Sequence, residues 1–184
     1  MKKMKTLFEQ DDRYKVINKL RPENDFINDG CFDVHVKRDG TSCLIKDNSI
    51  YRRYDANESK GRSIPEGSIS CQDEPAPNGS FPVWIKVVKG DPEDKHYNEA
   101  ISAKDNWEDG TYELCGPKIN GNRDKFENLI LVKHDSEKLL NINLEFDAIK
   151  AYFEDNYIEG FVITDKKTGL KTKIRRIDYG LSWK

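Results

Sequence analysis

A chain of 184 residues is long enough to bury a sizeable core, and a single domain spanning 1–184 is the expectation. Apolar residues make up 36% and charged residues 35%, with eight Tyr, eight Phe and three Trp; that composition excludes a disordered or collagen-like chain. Lys plus Arg (31) nearly balance Asp plus Glu (33), and a formal net charge of -2 excludes a global field that gathers a polyanion, so any nucleic-acid contact has to be local.

Cys31, Cys43, Cys71 and Cys115 are scattered, without a CxxC pair or a His at zinc-ligand spacing, and are expected to be reduced thiols. No apolar run has the length of a membrane span, and MKKMKTLFEQ has a basic start without the apolar stretch of a signal peptide. The expectation is a cytoplasmic monomer with no membrane partner.

In chain order, FDVHVK (32–37) alternates with period two and predicts a strand. SCLI and SIYRRY flank a KDN turn, as two strands of a hairpin would. Gly and Pro cluster at 60–82 (KGRSIPEGSISCQDEPAPNGSFP), a long polar loop that suits a mobile lid or substrate guide, and FPVWIKVV after it reads as a strand. Pro92 opens a weak helical pattern over 92–105. GPKINGN (116–122) is a second loop, and LILVKHDS carries a further strand. LEFDAIKAYFEDN (144–156) places Leu144, Ile149, Tyr152 and Phe153 at helical spacing, with Asn143 as the expected cap. IEGFVIT and LKTKIRR flank DKKTG, a hairpin signal. The fold class is therefore α+β: mainly antiparallel sheets with flanking helices.

One stretch raises a chemical question. In CFDVHVKRDGTS, Lys37 ends a strand and Arg38, Asp39 and Gly40 follow at once. Taken alone, a lysine beside an Asp-Gly turn is most often a solvated charge. Its company alters that reading: Arg53 in YRRYD, Glu113 in YELCG, Glu159-Gly160 in an apolar strand, and Lys171 and Lys173 in the partner of that strand. Arg52 and Arg53 fall on opposite faces by alternation, so only one of them can join the others.

This ordered set resembles the covalent nucleotidyltransferase superfamily of nucleic-acid ligases and mRNA capping enzymes. KRDG matches its KxDG motif I, Arg53 its motif Ia, Glu113 its motif III, Glu159-Gly160 its motif IV, and Lys171 with Lys173 its motif V. INGN (119–122) and the late GLSW (180–183) are similar to phrases of a compact class of ATP-dependent RNA ligases. The resemblance covers residues 31–183. It implies an adenylation domain without an appended OB domain, since no residues remain after motif V for one. It also implies ATP and Mg2+ (or Mn2+) as cofactors, and RNA with 5′-phosphate and 3′-hydroxyl ends as partner.

The implied chemistry asks for these residue types. A lysine attacking the α-phosphorus of ATP must be neutral, and burial with neighbouring cations lowers a lysine pKa. Lys37 is the implied nucleophile, with Lys173 and Lys171 on the α-phosphate and Glu159 orienting a metal-bound water or the Lys37 amine. Magnesium takes only one or two carboxylates beside phosphate oxygens and waters, which Glu159 and Glu113 would supply. Glu113 would alternatively meet a ribose hydroxyl, and Arg53 the ribose or a 5′-phosphate. A DNA ligase, a GTP-using capping enzyme and a non-catalytic nucleic-acid-binding module remain alternatives. Trp84 and Trp107 read as core or rim aromatics, with Trp84 a candidate for the base pocket. His134 reads as structural, with a phosphate contact as the alternative.

Overall fold

A computed structural model describes residues 4–184. In chain order its strands and helices begin with β1 (Phe8–Gln10), β2 (Val16–Leu20), β3 (Phe32–Lys37), β4 (Thr41–Lys46) and β5 (Ser49–Ala56). They continue with β6 (Ile69–Ser70), β7 (Phe81–Lys86), α1 (Lys95–Ile101), β8 (Gly110–Cys115), β9 (Ile130–Lys133) and β10 (Lys138–Leu139). The last are α2 (Phe146–Asp155), β11 (Gly160–Asp165) and β12 (Lys171–Arg175). The described residues form an α+β protein with mainly antiparallel sheets, divided into two compact units.

One unit, residues 40–134, is built on a six-stranded sheet in the order β6-β7-β5-β4-β8-β9, antiparallel throughout. Period-two alternation sends Cys43, Ile45, Tyr112 and Leu114 to one face, where they pack with Tyr97 and Ala100 of α1. The helix expected at 92–105 starts as a 3-10 turn (Pro92–Asp94), capped by the Asp91 carboxylate accepting from the Glu93 N–H at 2.9 Å, and its α part ends at Ile101. The strand expected over FPVWIKVV is regular to Lys86; the Val87 N–H still follows the register by donating to the Ile50 carbonyl (3.0 Å), and Val88 faces solvent. Within the loop expected at 60–82, residues 61–80 are irregular apart from β6 and a bridge between Asn57 and Arg62, and Phe81 and Pro82 already belong to β7.

The other unit combines residues 4–39 and 135–184. Its main sheet has the order β10-β3-β11-β12, all antiparallel, and β1 and β2 form a separate hairpin. Residues 5–7 run parallel to β12: the Leu7 N–H donates to the Lys173 carbonyl (2.8 Å) and the Lys173 N–H to the Lys5 carbonyl (3.1 Å). Buried Asn24 fastens this segment, its amide donating to the carbonyls of Thr6 and Leu7 and to the Thr172 hydroxyl. Val34, Phe161, Ile163 and Ile174 share the core face with Ile149 and Phe153 of α2, and each fully buried side chain among them contributes about 1.5–3 kcal/mol.

The hairpin around DKKTG has the expected register, with Gly169 at φ 74° in its turn. Helix α2 is shorter than the expected 144–156. Asn143 accepts from the Glu145 N–H (2.9 Å), one residue ahead of the helix, so Glu145 and not Asn143 occupies the N-cap position. The β1–β2 hairpin and the 3-10 segment Pro22–Asp29 had no clear sequence signal; three- and five-residue strands give too short a run for alternation to stand out.

Candidate functional site

In the unit holding β3, β11 and β12, register decides which side chains share a face. Lys37 stands opposite Gly160, which stands opposite Arg175; His35, Val162 and Lys173 form the next row, and Asp33, Thr164 and Lys171 the one after. Residues directly opposite in antiparallel strands project to the same side, so Lys37, Lys173 and Arg175 line one face of this sheet.

The first row depends on Gly160. A Cβ there would lie 2.2 Å from the Ile174 carbonyl oxygen and 2.8 Å from the Arg175 Cα, so any side chain would push β12 off β11. Glu159, one residue earlier, brings its carboxylate to the strand end, where Lys37 Nζ donates to Oε2 at 2.5 Å and, more weakly, to the Arg38 carbonyl at 3.4 Å. Glu159 is buried, and burial raises its carboxyl pKa; the Lys37 ammonium works against that rise and the Asp39 charge adds to it.

Lys173 is the lysine of this face that burial perturbs. Loss of solvent, then repulsion from Arg175 and Lys37, pushes its pKa down to about 8, with Asp178 and Glu159 pulling the other way. Arg175 is held by buried Asp178 through a two-point contact, Nη2 to Oδ1 at 2.7 Å and Nε to Oδ2 at 3.2 Å. Lys171, two residues before Lys173 on the same face, is more exposed and its ammonium pairs with Asp135. Lys171 and Lys173 share the face expected of them; Lys173 neighbours Lys37 and Glu159, and Lys171 pairs with Asp135.

The two residues after Lys37 are also held. Arg38 donates twice to Glu137, at 2.7 and 2.6 Å. The Trp183 indole N–H donates to the Asp39 carboxylate at 2.7 Å.

The other unit carries the remaining candidates. Glu113 on β8 stands opposite Ser42 on β4, and its Oε2 accepts from the Ser42 hydroxyl and from His134 Nε2, each at 3.0 Å. With Nε2 carrying the proton, the Thr111 hydroxyl is the donor to His134 Nδ1 at 2.9 Å, an assignment that follows from the network. Gly40 lies against the same strand: a Cβ on it would meet the Leu114 carbonyl at 2.2 Å and Glu113 Cγ at 2.7 Å. The Asn120 amide of INGN donates to the Gly40 carbonyl at 2.6 Å, from a loop in which Lys118, Asn120 and Asn122 have positive φ.

The arginine question has a clear answer in register. Arg52 stands opposite Cys43 on the core face and pairs with buried Asp94 (2.8 Å) and Glu93 (3.1 Å). Arg53 is on the other face, opposite Trp84, and by alternation it shares that face with Ser42 and Glu113. Its Nε contacts Asp55 at 3.0 Å. Trp84 is buried beside it, and Trp107 packs at the rim of the core with its N–H on the Ile101 carbonyl.

No family model matches this sequence, and no curated protein matches it.

Among the described residues no group of three or more His, Cys, Asp or Glu side chains is placed to hold a metal ion, and no helix is long and apolar enough to cross a membrane. An ion that binds mainly through phosphate oxygens needs no such group, and the single carboxylate of Glu159 suits it. From the sequence, Arg175, Trp183 and Asn120 had no assigned role, although INGN and GLSW contain the last two, and His134 was read as structural with a phosphate contact as the alternative. Arg175 was within reach, because it continues the alternation of Lys171 and Lys173. The others act through pairings between residues 21 to 144 positions apart, which no local pattern encodes.

Proposed function

We propose that the chain is an ATP-dependent RNA ligase of the covalent nucleotidyltransferase superfamily, with Lys37 as the nucleophile. The observation that carries the proposal is the Lys37–Glu159 pair at 2.5 Å, on a sheet face where Lys173 and Arg175 add positive charge. A lysine with a buried carboxylate at its ammonium and further cations on the same face is the arrangement that amine attack on a phosphorus centre needs.

In the proposed first step Glu159, its proton affinity raised by burial, takes a proton from the Lys37 ammonium. The freed Nζ attacks the α-phosphorus of ATP; a P–N bond forms, the bond to the β-phosphoryl oxygen breaks, and pyrophosphate leaves. Lys173 and Arg175 stabilise the charge that gathers on the phosphoryl oxygens. Glu159 is the carboxylate on this face that would hold a magnesium ion, which would supply neutralisation of the phosphate charge. In the later steps AMP passes to an RNA 5′-phosphate, and a 3′-hydroxyl displaces AMP to close the phosphodiester. Glu113 and Arg53 share a sheet face in the other unit; Glu113 is assigned to a ribose hydroxyl and Arg53 to the ribose or the 5′-phosphate. His134 and Ser42 orient Glu113 for that role.

Incubation with Mg2+ and α-labelled ATP or GTP, followed by joining assays on nicked RNA and nicked DNA, tests this reading. It requires covalent label from ATP and sealing of RNA. Label from GTP alone moves the chain to capping chemistry, sealing of DNA alone moves it to the DNA ligases, and no label from either nucleotide removes the enzyme reading.

A further inference from the structure

We propose that Trp183 is a positioning residue for nucleotide transfer to Lys37, acting through its hydrogen bond to Asp39. The inference rests on the ligase reading above and adds to it a residue far along the chain from the nucleophile.

The indole is fixed on several sides. Its ring lies 4.7 Å from the Tyr157 ring at an interplanar angle of 37°. The Arg176 guanidinium sits over the other aromatic partner, 5.0 Å from the Tyr157 centroid. Arg176 is buried and donates to the carbonyls of Phe153, Asn156 (3.0 Å) and Ser182 (3.1 Å), which ties the end of α2 to the segment carrying Trp183. The Tyr157 hydroxyl closes the arrangement by donating to the Lys184 carbonyl at 2.5 Å and accepting from the Lys184 N–H at 3.2 Å. Gly180, at φ 79°, makes the turn that sends the segment back.

The indole N–H is a donor with no acceptor capacity, and Trp183 is only 9% exposed, so water competes poorly for the bond it makes. That bond goes to Asp39 Oδ2 at 2.7 Å. Asp39 lies two residues beyond Lys37, past the end of β3. With Arg38 clamped by Glu137, the indole supplies the second anchor for the segment that leaves the nucleophile.

The test uses the full chain and α-labelled ATP with Mg2+. Trp183→Phe keeps the stacked ring and deletes the donor. At saturating ATP it is expected to slow labelling about tenfold, the loss of one hydrogen bond to a charged group, with half-saturating ATP changed less than about twofold. Tyr157→Phe, which loosens Lys184 and leaves the indole N–H intact, should label within about twofold of the wild type. Should Trp183→Phe fail to fold, benzothienylalanine at position 183 keeps the bicyclic shape, replaces N–H with sulfur, and is expected to show the same loss. A folded protein lacking the N–H that labels at the wild-type rate at saturating ATP, or whose loss lies in half-saturating ATP instead, overturns the inference. Wild-type protein that takes no label overturns the ligase reading itself.

Discussion

Lys37 Nζ and Glu159 Oε2 meet at 2.5 Å across adjacent antiparallel strands, with 22% and 10% of the two side chains reaching solvent. Neither charge is well hydrated, so each depends on the other. Lys37→Met is expected to cost about 1–3 kcal/mol at neutral pH, because it leaves the Glu159 carboxylate without its donor. Burial raises the folded-state pKa of Glu159 above its unfolded value, so the folded form holds the proton longer and the associated stability falls as pH rises through that window. Without Lys37 the rise is larger. Urea denaturation across the acidic range should show the variant approaching the wild type as pH falls.

Lys173 has the opposite sign. Its folded pKa, about 8, lies below the ordinary lysine value, so the folded protein carries a penalty for its charge at neutral pH that is relieved as pH climbs from about 8 to the unfolded value. Activity runs the other way, since only the charged form assists the phosphates. The second-order rate of labelling should fall as pH rises past about 8, and Lys173→Arg, which stays charged, should remove that alkaline limb. Pre-steady-state labelling across the alkaline range measures it.

Both motif glycines occupy positions that no Cβ can share. Gly160→Ala would place a methyl 2.2 Å from the Ile174 carbonyl, and Gly40→Ala one 2.2 Å from the Leu114 carbonyl. Each should destabilise its unit by about 1–3 kcal/mol. The loss of labelling in Gly160→Ala should exceed what the stability change explains, because β12 carries Lys173 and Arg175 away from Lys37. Thermal melts alongside labelling rates separate the two effects.

The adjacent arginines should divide stability from function. Arg52→Ala leaves Asp94, 2% exposed, without its guanidinium and is expected to cost about 3 kcal/mol. Arg53→Ala gives up only a contact to a half-exposed Asp55 and should change stability by less than about 0.5 kcal/mol while impairing RNA joining. Denaturation midpoints and nick-sealing rates for the two variants should rank in opposite orders.

Strands with strict alternation were legible in the sequence: FDVHVK, the two flanking KDN, and the hairpin around DKKTG lie where period two puts them. Alternation also separates Arg52 from Arg53, but only strand pairing tells which of them shares a face with Glu113. Chain order placed Lys171 and Lys173 together. Their burial differs because Lys173 lies beside Arg175 and Lys37, whereas Lys171 is nearer the DKKTG turn and reaches Asp135. The Trp183–Asp39 bond links residues 144 positions apart and depends on the turn at Gly180 and on buried Arg176, neither of which has a local signature. Helix limits were the least legible, as Asn143 illustrates: a good capping residue can spend its side chain one position too early.

The face of β3, β11 and β12 carries two candidate nucleophiles for the proposed reaction, Lys37 with a carboxylate on its ammonium and Lys173 with a pKa pushed down to about 8. Peptide mapping by mass spectrometry, after incubation with ATP and Mg2+ and under conditions that preserve a P–N bond, identifies which of them takes AMP. The adduct is expected on the peptide containing Lys37, absent from Lys37→Arg and still formed, more slowly, in Lys173→Met. An adduct on Lys173, or one that survives in Lys37→Arg, would contradict the account.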